Sequence, residues 1–515
     1  MMKSRNSRNH FLSLGVVLLA FILMDCAKDE QEEDLHRKGN IRDPAFELAL
    51  IDLGHDAVFD GQILINKLKD IKELDVSDTD ITDLSGIEWF TGLTSLNCSN
   101  TPLKTLDLTN NKALVALDCS ITDLQRLNTN ENVNLEILKC SGNNFVDVDL
   151  SNNVALKSFD CSYNALLKNL DITNNVALET LYCSQNIGLE NLDVSKNINL
   201  VTFNCTRSAL KNLDLTANSV LKTLDCSWGV VESLIIKDNT NLEYVDCSGN
   251  RINALDLSST SNIKYLDCGY NGTMSSLNVN NKPYLETLIC AVNNSTALDA
   301  SNNPSLKTMD CSFNQISSLN VSNSNAIEIL ECRDNNLESL DLANKLVLKE
   351  LFLGNNEITS LNLNGCVALK IVLAYDNRIT DLDLSDNVAL EVLDLNFNSL
   401  NALDVTHNIN LKNLYLPSNN IENLDVSNNI LLEYLLCGNN PILNLDVYNN
   451  TALQYLWCET TSISSLNVSN NTLLNYLLCY DNSNLTCIQV SEAQLVAIPR
   501  DWSKDEAAVY NTNCN

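Results

Sequence analysis

LKTMDCSFNQISSLNVSNSNA, Leu306 to Ala326, is the stretch on which the reading of the chain turns. Leu306, Met309, Cys311, Ile316, Leu319 and Val321 are read as inward-facing, while Lys307, Thr308, Asp310, Ser312 and Phe313 are read as outward-facing. The alternation around Met309 to Cys311 is that of a short strand with one buried face, and Leu319-Asn320-Val321 repeats it half a segment later. The next segment, IEILECRDNNLESLDLANKLV from Ile327 to Val347, has the same form. Followed in both directions, LxxLxCxxNxLxxLDVSxNxx recurs every 21 or 22 residues from about Leu74 onward, in about twenty copies. A period of this length denotes stacked coils, each burying its apolar side against its neighbours. Two extended segments per coil predict two parallel ladders with rungs roughly 4.8 Å apart.

Composition agrees with a coil and argues against several functions. Aromatic residues make up 6% of the 515 residues, with 15 Gly and 7 Pro, which suits a repeated coil better than a mixed globular enzyme. The formal net charge is -32 at pH 7. Such a surface repels nucleic acid and anionic lipid headgroups, so a partner is expected to be cationic, neutral or metal-bridged, and nucleic acid is disfavoured.

The repeat resembles bacterial leucine-rich repeats, in the subclass where LxxLxCxxN is followed by LxxLDxS instead of a helix. The segment DGQILINKLKDIKELDVSDTDITDLSGIEWFTGLTSLNC, residues 60 to 98, resembles the region leading into the repeats of internalin-like secreted proteins. The resemblance spans about Asp43 to the C-terminus. It implies a leucine-rich-repeat solenoid, by convention of the α/β horseshoe family but here mainly β, with about twenty coils between an N-terminal helical cap and a C-terminal cap. The role it implies is adhesion or recognition.

The first residues read as an address. Lys3, Arg5 and Arg8 precede an apolar run from Phe11 to Met24, followed by Cys26 and a charged stretch. The run is shorter than the roughly 20 residues of a membrane-spanning helix, so cleavage or lipid anchoring is expected. LMDC, Leu23 to Cys26, resembles a bacterial lipobox, with Asp25 where a small residue is usual. Ala27, Lys28, Asp29 and Glu30 resemble the signal that sends some Gram-negative lipoproteins to the cell surface. The expected division is a signal peptide over 1–25, an acylated Cys26 and polar tether over 26–43, an N-terminal cap over 44–73, repeats over 74–484 and a C-terminal cap over 485–515. This would be a secreted, surface-exposed outer-membrane lipoprotein touching the membrane only through its lipid. The alternative is an ordinary cleaved leader in which Cys26 is incidental.

Asp43 and Pro44 read as a helix N-cap and first-turn proline, with Phe46, Ala49, Leu50 and Leu53 on one face. At the other end LTCIQVSEAQ departs from the repeat, and Cys487 and Cys514, outside the main cysteine column, are expected to form a disulfide. That column runs Cys98, Cys119, Cys140 and onward to Cys332, gives way to Leu353, Ala374, Leu395 and Leu416, and resumes at Cys437, Cys458 and Cys479. Interchange with Leu and Ala marks small apolar filler, without the close ligand pairs of zinc sites. An Asn column, Asn143 to Asn482, should bond the turn of its own coil and the next. Thr101, Thr122, Ser208, Gly229 and Thr461 interrupt it and predict less satisfied coils. Cys366 has no evident role.

No HExxH, GxSxG or phosphate-loop pattern is present, and His36, His55 and His407 lie apart in the expected mature chain, so no catalytic residue, metal or cofactor is assigned. The back-ladder aspartates, such as Asp149, Asp171 and Asp193, would repel one another, and calcium is one possible relief. Binding is better located where outward positions break the pattern. Before the cysteine slot the earlier coils carry Asp225, Asp246, Asp267, Asp310 and Glu331, and the later ones Phe352, Leu373, Tyr415, Leu436, Trp457 and Leu478. Tyr434, Tyr455 and Tyr476 stand two residues earlier, and Tyr480 follows the last strand. Tyr415, Tyr434, Leu436, Tyr455, Trp457, Tyr476, Leu478 and Tyr480 are the candidate ligand-binding residues, either for a protein or for a glycan. The protein is expected to be a monomer, with a structural spacer or polysaccharide-capture role in an envelope complex as the alternative.

Overall fold

The computed structural model describes residues 37–514, which fall into two compact units divided between Lys211 and Asn212. The expected signal peptide, Cys26 and the first part of the expected tether lie outside the described residues. In the first unit, three-residue strands from Glu73–Asp75 to Thr202–Asn204 pair in parallel, each residue opposite its equivalent one coil away. In the second, front strands of the same kind pair in parallel from Thr223–Asp225 through Tyr476–Cys479 to Trp502–Lys504. The central residue of each three-residue front strand of the repeats is buried, and most flanking ones are partly exposed, as the period-2 pattern requires.

The back ladder is less regular than expected. It breaks into short parallel sheets, such as Asn212–Asp214 with Ser233–Ile235 and Ser339–Asp341 with Ser360–Asn362, with unpaired rungs between them. Nothing in the side chains of the unpaired rungs, such as Ala402-Leu403-Asp404, sets them apart.

Each coil is filled by leucine and cysteine. The column from Cys98 to Cys479 is buried, and Leu353, Ala374, Leu395 and Leu416 are buried in the same slot. Burial pushes the Cys98 and Cys437 thiols up to about 12, so these groups stay protonated and unreactive. Ser312, read as outward, is 1% exposed, because the chain bends inward directly after the strand and its N–H donates to Asp310 Oδ1 at 2.9 Å.

Two columns of side-chain donors bind coil to coil. In the anticipated one, Asn335 Nδ2 donates to Cys332 O of its own coil (3.2 Å) and Cys311 O of the preceding one (3.0 Å), while Oδ1 accepts from Ile316 N at 2.9 Å. Threonine keeps part of this: Thr122 Oγ1 donates to Cys119 O, and Thr461 Oγ1 to Cys458 O, so those coils retain the bond within the coil and lack the one to the preceding coil. The second column was not anticipated. Asn450, fully buried, donates to Val426 O and Asn429 O of the preceding coil, both at 2.9 Å, and Asn408, Asn429 and Asn471 act alike. Cys366 belongs to it, with Sγ 3.2 Å from Leu342 O. So does Lys345, whose ammonium donates to Val321 O at 2.7 Å and Ser324 O at 3.0 Å. A donor is what the position requires, since a buried carbonyl without its partner is costly.

The ends follow the same logic. Helix α1, Pro44–Asp52, is capped by Asp43, whose Oδ1 accepts from Ala45 N and Phe46 N, and whose Oδ2 accepts from Thr82 N and Oγ1. Phe46 and Leu50 are buried, but Leu53 is exposed because the helix ends one residue before it. The C-terminal segment continues both ladders rather than leaving them: Cys487–Gln489 and Val509–Asn511 join the back, and Trp502–Lys504 joins the front. Gln494 takes the place of asparagine there, donating to Val468 O and Asn471 O, both at 3.2 Å. Cys487 is disulfide-bonded to Cys514.

Two outcomes are expected. Asn450→Ala removes one of two donors from each of two carbonyls and should lower stability by about 1–2 kcal/mol, read as a lower urea midpoint. The sixteen buried cysteine thiols outside the disulfide, among the described residues, should resist an aromatic disulfide reagent in the native protein and react when it is unfolded in guanidinium chloride.

Candidate binding surface

Because the front ladder is in register, the first and third residue of every strand form two outward columns. In the second unit the third column reads Asp225, Asp246 and Asp267, then Ile289, Asp310 and Glu331, and from Phe352 it is mostly apolar, with Asp394 standing between Leu373 and Tyr415. Its last members, Tyr415, Leu436, Trp457 and Leu478, sit on consecutive rungs. Beside them Tyr434, Tyr455 and Tyr476 stack, with ring centroids 6.2 Å and 5.3 Å apart. Seven of the eight candidate residues therefore share one face, and Tyr480 follows in the turn directly after the last of these strands. Tyr434, Tyr476 and Tyr480 are exposed and the other five half-buried. Trp457 lies against the preceding coil, its Nε1 2.9 Å from where a side chain on Gly438 would begin. The Tyr480 hydroxyl is raised above its ordinary range by a hydrogen bond to Glu459 and that carboxylate's charge.

The sequence reading followed the aspartates of the earlier coils and missed the tyrosines beside them. Tyr244 and Tyr265 stack at 4.5 Å with planes 6° apart. Their signal was available as YVD and YLD one coil apart. Asp267 next to them is pushed up to about 6, first by burial and then by the negative charges of Asp246 and Asp310. Asp246 is raised for the same reasons, with Asp225 as the charged neighbour. In the first unit the equivalent Asp118 is paired with Lys139 at 3.6 Å.

The back-ladder aspartates behave oppositely. Asp149, Asp171 and Asp383 lie below the ordinary carboxylate range, because the backbone and side chain of the residue two places on hydrogen-bond to them. Their Oδ1 atoms accept from Ser151 N, Thr173 N and Ser385 N at 3.0, 3.0 and 2.9 Å. Hydrogen bonding within each turn thus holds these charges, and among the described residues no three His, Cys, Asp or Glu side chains are grouped to hold a metal. A hollow of 530 Å³ lined by Asp404, Asp425 and Asp446 lies along these back rungs, away from the aromatic face. Among the described residues no helix is long and apolar enough to cross a membrane.

The raised Asp267 has a measurable consequence. In the folded protein it holds its proton more tightly than in the unfolded chain, so the folded state binds more protons between about pH 4 and pH 6, and stability falls as pH rises through that window. Asp267→Asn should raise Tm at pH 7.5 and leave it near the wild-type value at pH 3.5, as followed by circular dichroism.

No family model matches the chain, and no curated protein matches it. Solved structures do. The functional domain of InlJ from Listeria monocytogenes, described as including a cysteine ladder, is 26% identical with a TM-score of 0.51, over 81% of this chain and 79% of that one. YopM from Yersinia enterocolitica is 21% identical with a TM-score of 0.59, over 86% and 88%. The leucine-rich-repeat ectodomain of the Arabidopsis receptor kinase HAESA, solved with a peptide hormone, is 17% identical with a TM-score of 0.56, over 87% and 80%. The likeness to YopM and HAESA is one of fold alone. With parallel rungs, buried leucine and cysteine columns and coils of 21 or 22 residues, the fold of this chain is the leucine-rich-repeat solenoid.

Proposed function

We propose that this protein is a recognition protein of the cell exterior that binds another protein through the front ladder of its second unit, and that it is not an enzyme. The observation that carries this reading is the stacking of Tyr434, Tyr455 and Tyr476 beside Leu436, Trp457 and Leu478. A sugar ring is held by lying flat on a free aromatic face. Here the tyrosine faces turn toward one another, and what they offer outward is ring edges and hydroxyls. Edges and hydroxyls next to apolar side chains suit a polypeptide, whose backbone amides take the hydroxyls and whose side chains cover the apolar surface. Fold by itself does not select a partner, so the reading rests on this geometry.

The absence of catalysis is supported by how the reactive side chains are used. The cysteines are buried filler with thiols pushed up, and the back-ladder carboxylates are engaged in their own turns. Placement outside the cell is supported by the apolar leader, the lipobox-like LMDC and the acidic run after Cys26. On that reading Cys26→Ala, expressed in a Gram-negative host, should abolish incorporation of labelled palmitate.

The binding reading is tested with immobilised wild-type protein and a Tyr434→Ala/Tyr476→Ala double variant, both exposed to surface-protein extracts and to a glycan array. The wild type should retain a protein whose affinity falls about tenfold or more in the variant, at unchanged Tm. Retention of glycans alone, or of the same protein equally by both forms, would overturn it.

A further inference from the structure

The turn after each front strand places one residue in the left-handed region of the backbone. Asn100, Asn355 and Asn439 occupy it in some coils and Gly249 in another, as the conformation favours. Trp228, Tyr270 and Phe313 occupy it at φ of 56°, 55° and 54°. Bulky residues are disfavoured there, and these rings do not repay the cost by filling the core, since Trp228 is 54% and Tyr270 53% exposed. The coil between them carries Gly249, where a Cβ would lie 2.7 Å from the Trp228 ring. Its missing side chain lets Trp228 lie across that coil and meet Tyr270, with centroids 5.6 Å apart.

Alongside this edge run Asp246 and Asp267, whose charged neighbours are other carboxylates. Farther along the same edge the chain supplies its own cation. The Arg333 guanidinium stands 5.5 Å from the centre of the Phe313 ring and 3.6 Å from the Glu331 carboxylate. Phe313 is the turn residue of one coil and Glu331 the third strand residue of the next, which is the relation of Trp228 to Asp246. At the place of Arg333 the Trp228–Asp246 pair has Ser248. The register that sets Phe313, Glu331 and Arg333 side by side therefore sets Trp228 and Asp246 in the equivalent places, with Ser248 where the guanidinium-bearing residue would be.

We propose that the Trp228–Tyr270 edge of the second unit, with Asp246 and Asp267, is a docking surface for an extended polypeptide segment that presents arginine side chains. A guanidinium stacks its flat face on a ring and keeps its in-plane N–H groups for a carboxylate, which a lysine ammonium does not do. The acidic balance of the chain, -32, draws such a segment in, and the ring and carboxylate select it. This surface uses other coils than the Tyr434–Tyr476 patch, and the inference stands apart from the role proposed for that patch.

The test uses fluorescein-labelled hexa-arginine and hexa-lysine at physiological salt, with affinity read by anisotropy. The variants are Trp228→Asn, Asp246→Asn and, as a control on the other patch, Tyr455→Ala. Asparagine occupies the equivalent turn in other coils, so Trp228→Asn keeps the fold, which circular dichroism checks. Hexa-arginine should bind the wild type about tenfold more tightly than hexa-lysine, Trp228→Asn and Asp246→Asn should each remove most of that difference, and Tyr455→Ala should leave it intact. Equal binding of the two peptides by the wild type, or an unchanged preference in Trp228→Asn, would overturn the proposal. So would loss of the preference in Tyr455→Ala.

Discussion

The rest of the structure depends on a side-chain amide that reaches the backbone of the coil before it. Wherever the chain turns inward it exposes carbonyls that its own backbone only partly satisfies. Asn335 and Asn450 answer this from the next coil, and Asn335 also returns an acceptor to Ile316 N. Such bonds hold equivalent residues opposite one another, so a slip of one residue would break every bond in the column at once. Four substitutions in these columns keep a donor: Lys345, Cys366, Thr122 and Gln494 differ in size and charge, and each donates to a carbonyl that an asparagine would otherwise reach.

Strict register has a consequence at the surface. A residue type repeated at one position becomes a stripe, and its members act on one another. Tyrosines stack, as at Tyr244 and Tyr265, and carboxylates repel, as at Asp246 and Asp267. One residue type then behaves in two ways in the same coil. Asp246 on the front accepts from Ser248, yet burial outweighs that bond and the carboxyl is raised. Asp256, ten residues later on the back, accepts from Ser258 in the same way, and with little burial the bond holds it low. The front ladder thus keeps carboxylates under electrostatic tension, and cationic groups relieve it, whether from within, as with Lys139 and Arg333, or from a partner.

Much of this was legible in the sequence, because a pattern repeated about twenty times averages out accidents of any one coil. The strand positions, the buried cysteine slot, the first asparagine column and the shared face of Tyr415 to Leu478 all follow from counting in steps of 21 or 22. What escaped was what counting hides. The second donor column is broken by Lys282, Ser324, Lys345 and Cys366, which share a hydrogen-bonding role but no residue class, so a search for identity passes over them. Ser312 and Leu53 were misplaced because the bend after a strand and the last turn of a helix are set by backbone geometry and not by apolar period. The C-terminal segment read as a departure because its letters change, although Ile488 and Val490 still occupy the inward slots.

Deviations from the repeat divide by the side of the coil on which they fall. Most inward changes preserve the chemistry of the slot: Leu or Ala for Cys, lysine or threonine for asparagine, with Gly229 as an exception that brings no side-chain donor. Outward changes do not. One column passes from Asp267 to Phe352 to Trp457, and the left-handed row holds a tryptophan where the backbone favours glycine or asparagine. Neither the core nor the ladder bonds call for such residues, and a ring in a left-handed turn opposes the local backbone preference. Where stability does not explain a costly side chain, an interaction outside the fold is the physical reason left, and Trp228 and Tyr270, each more than half exposed, meet that condition more fully than the half-buried Trp457.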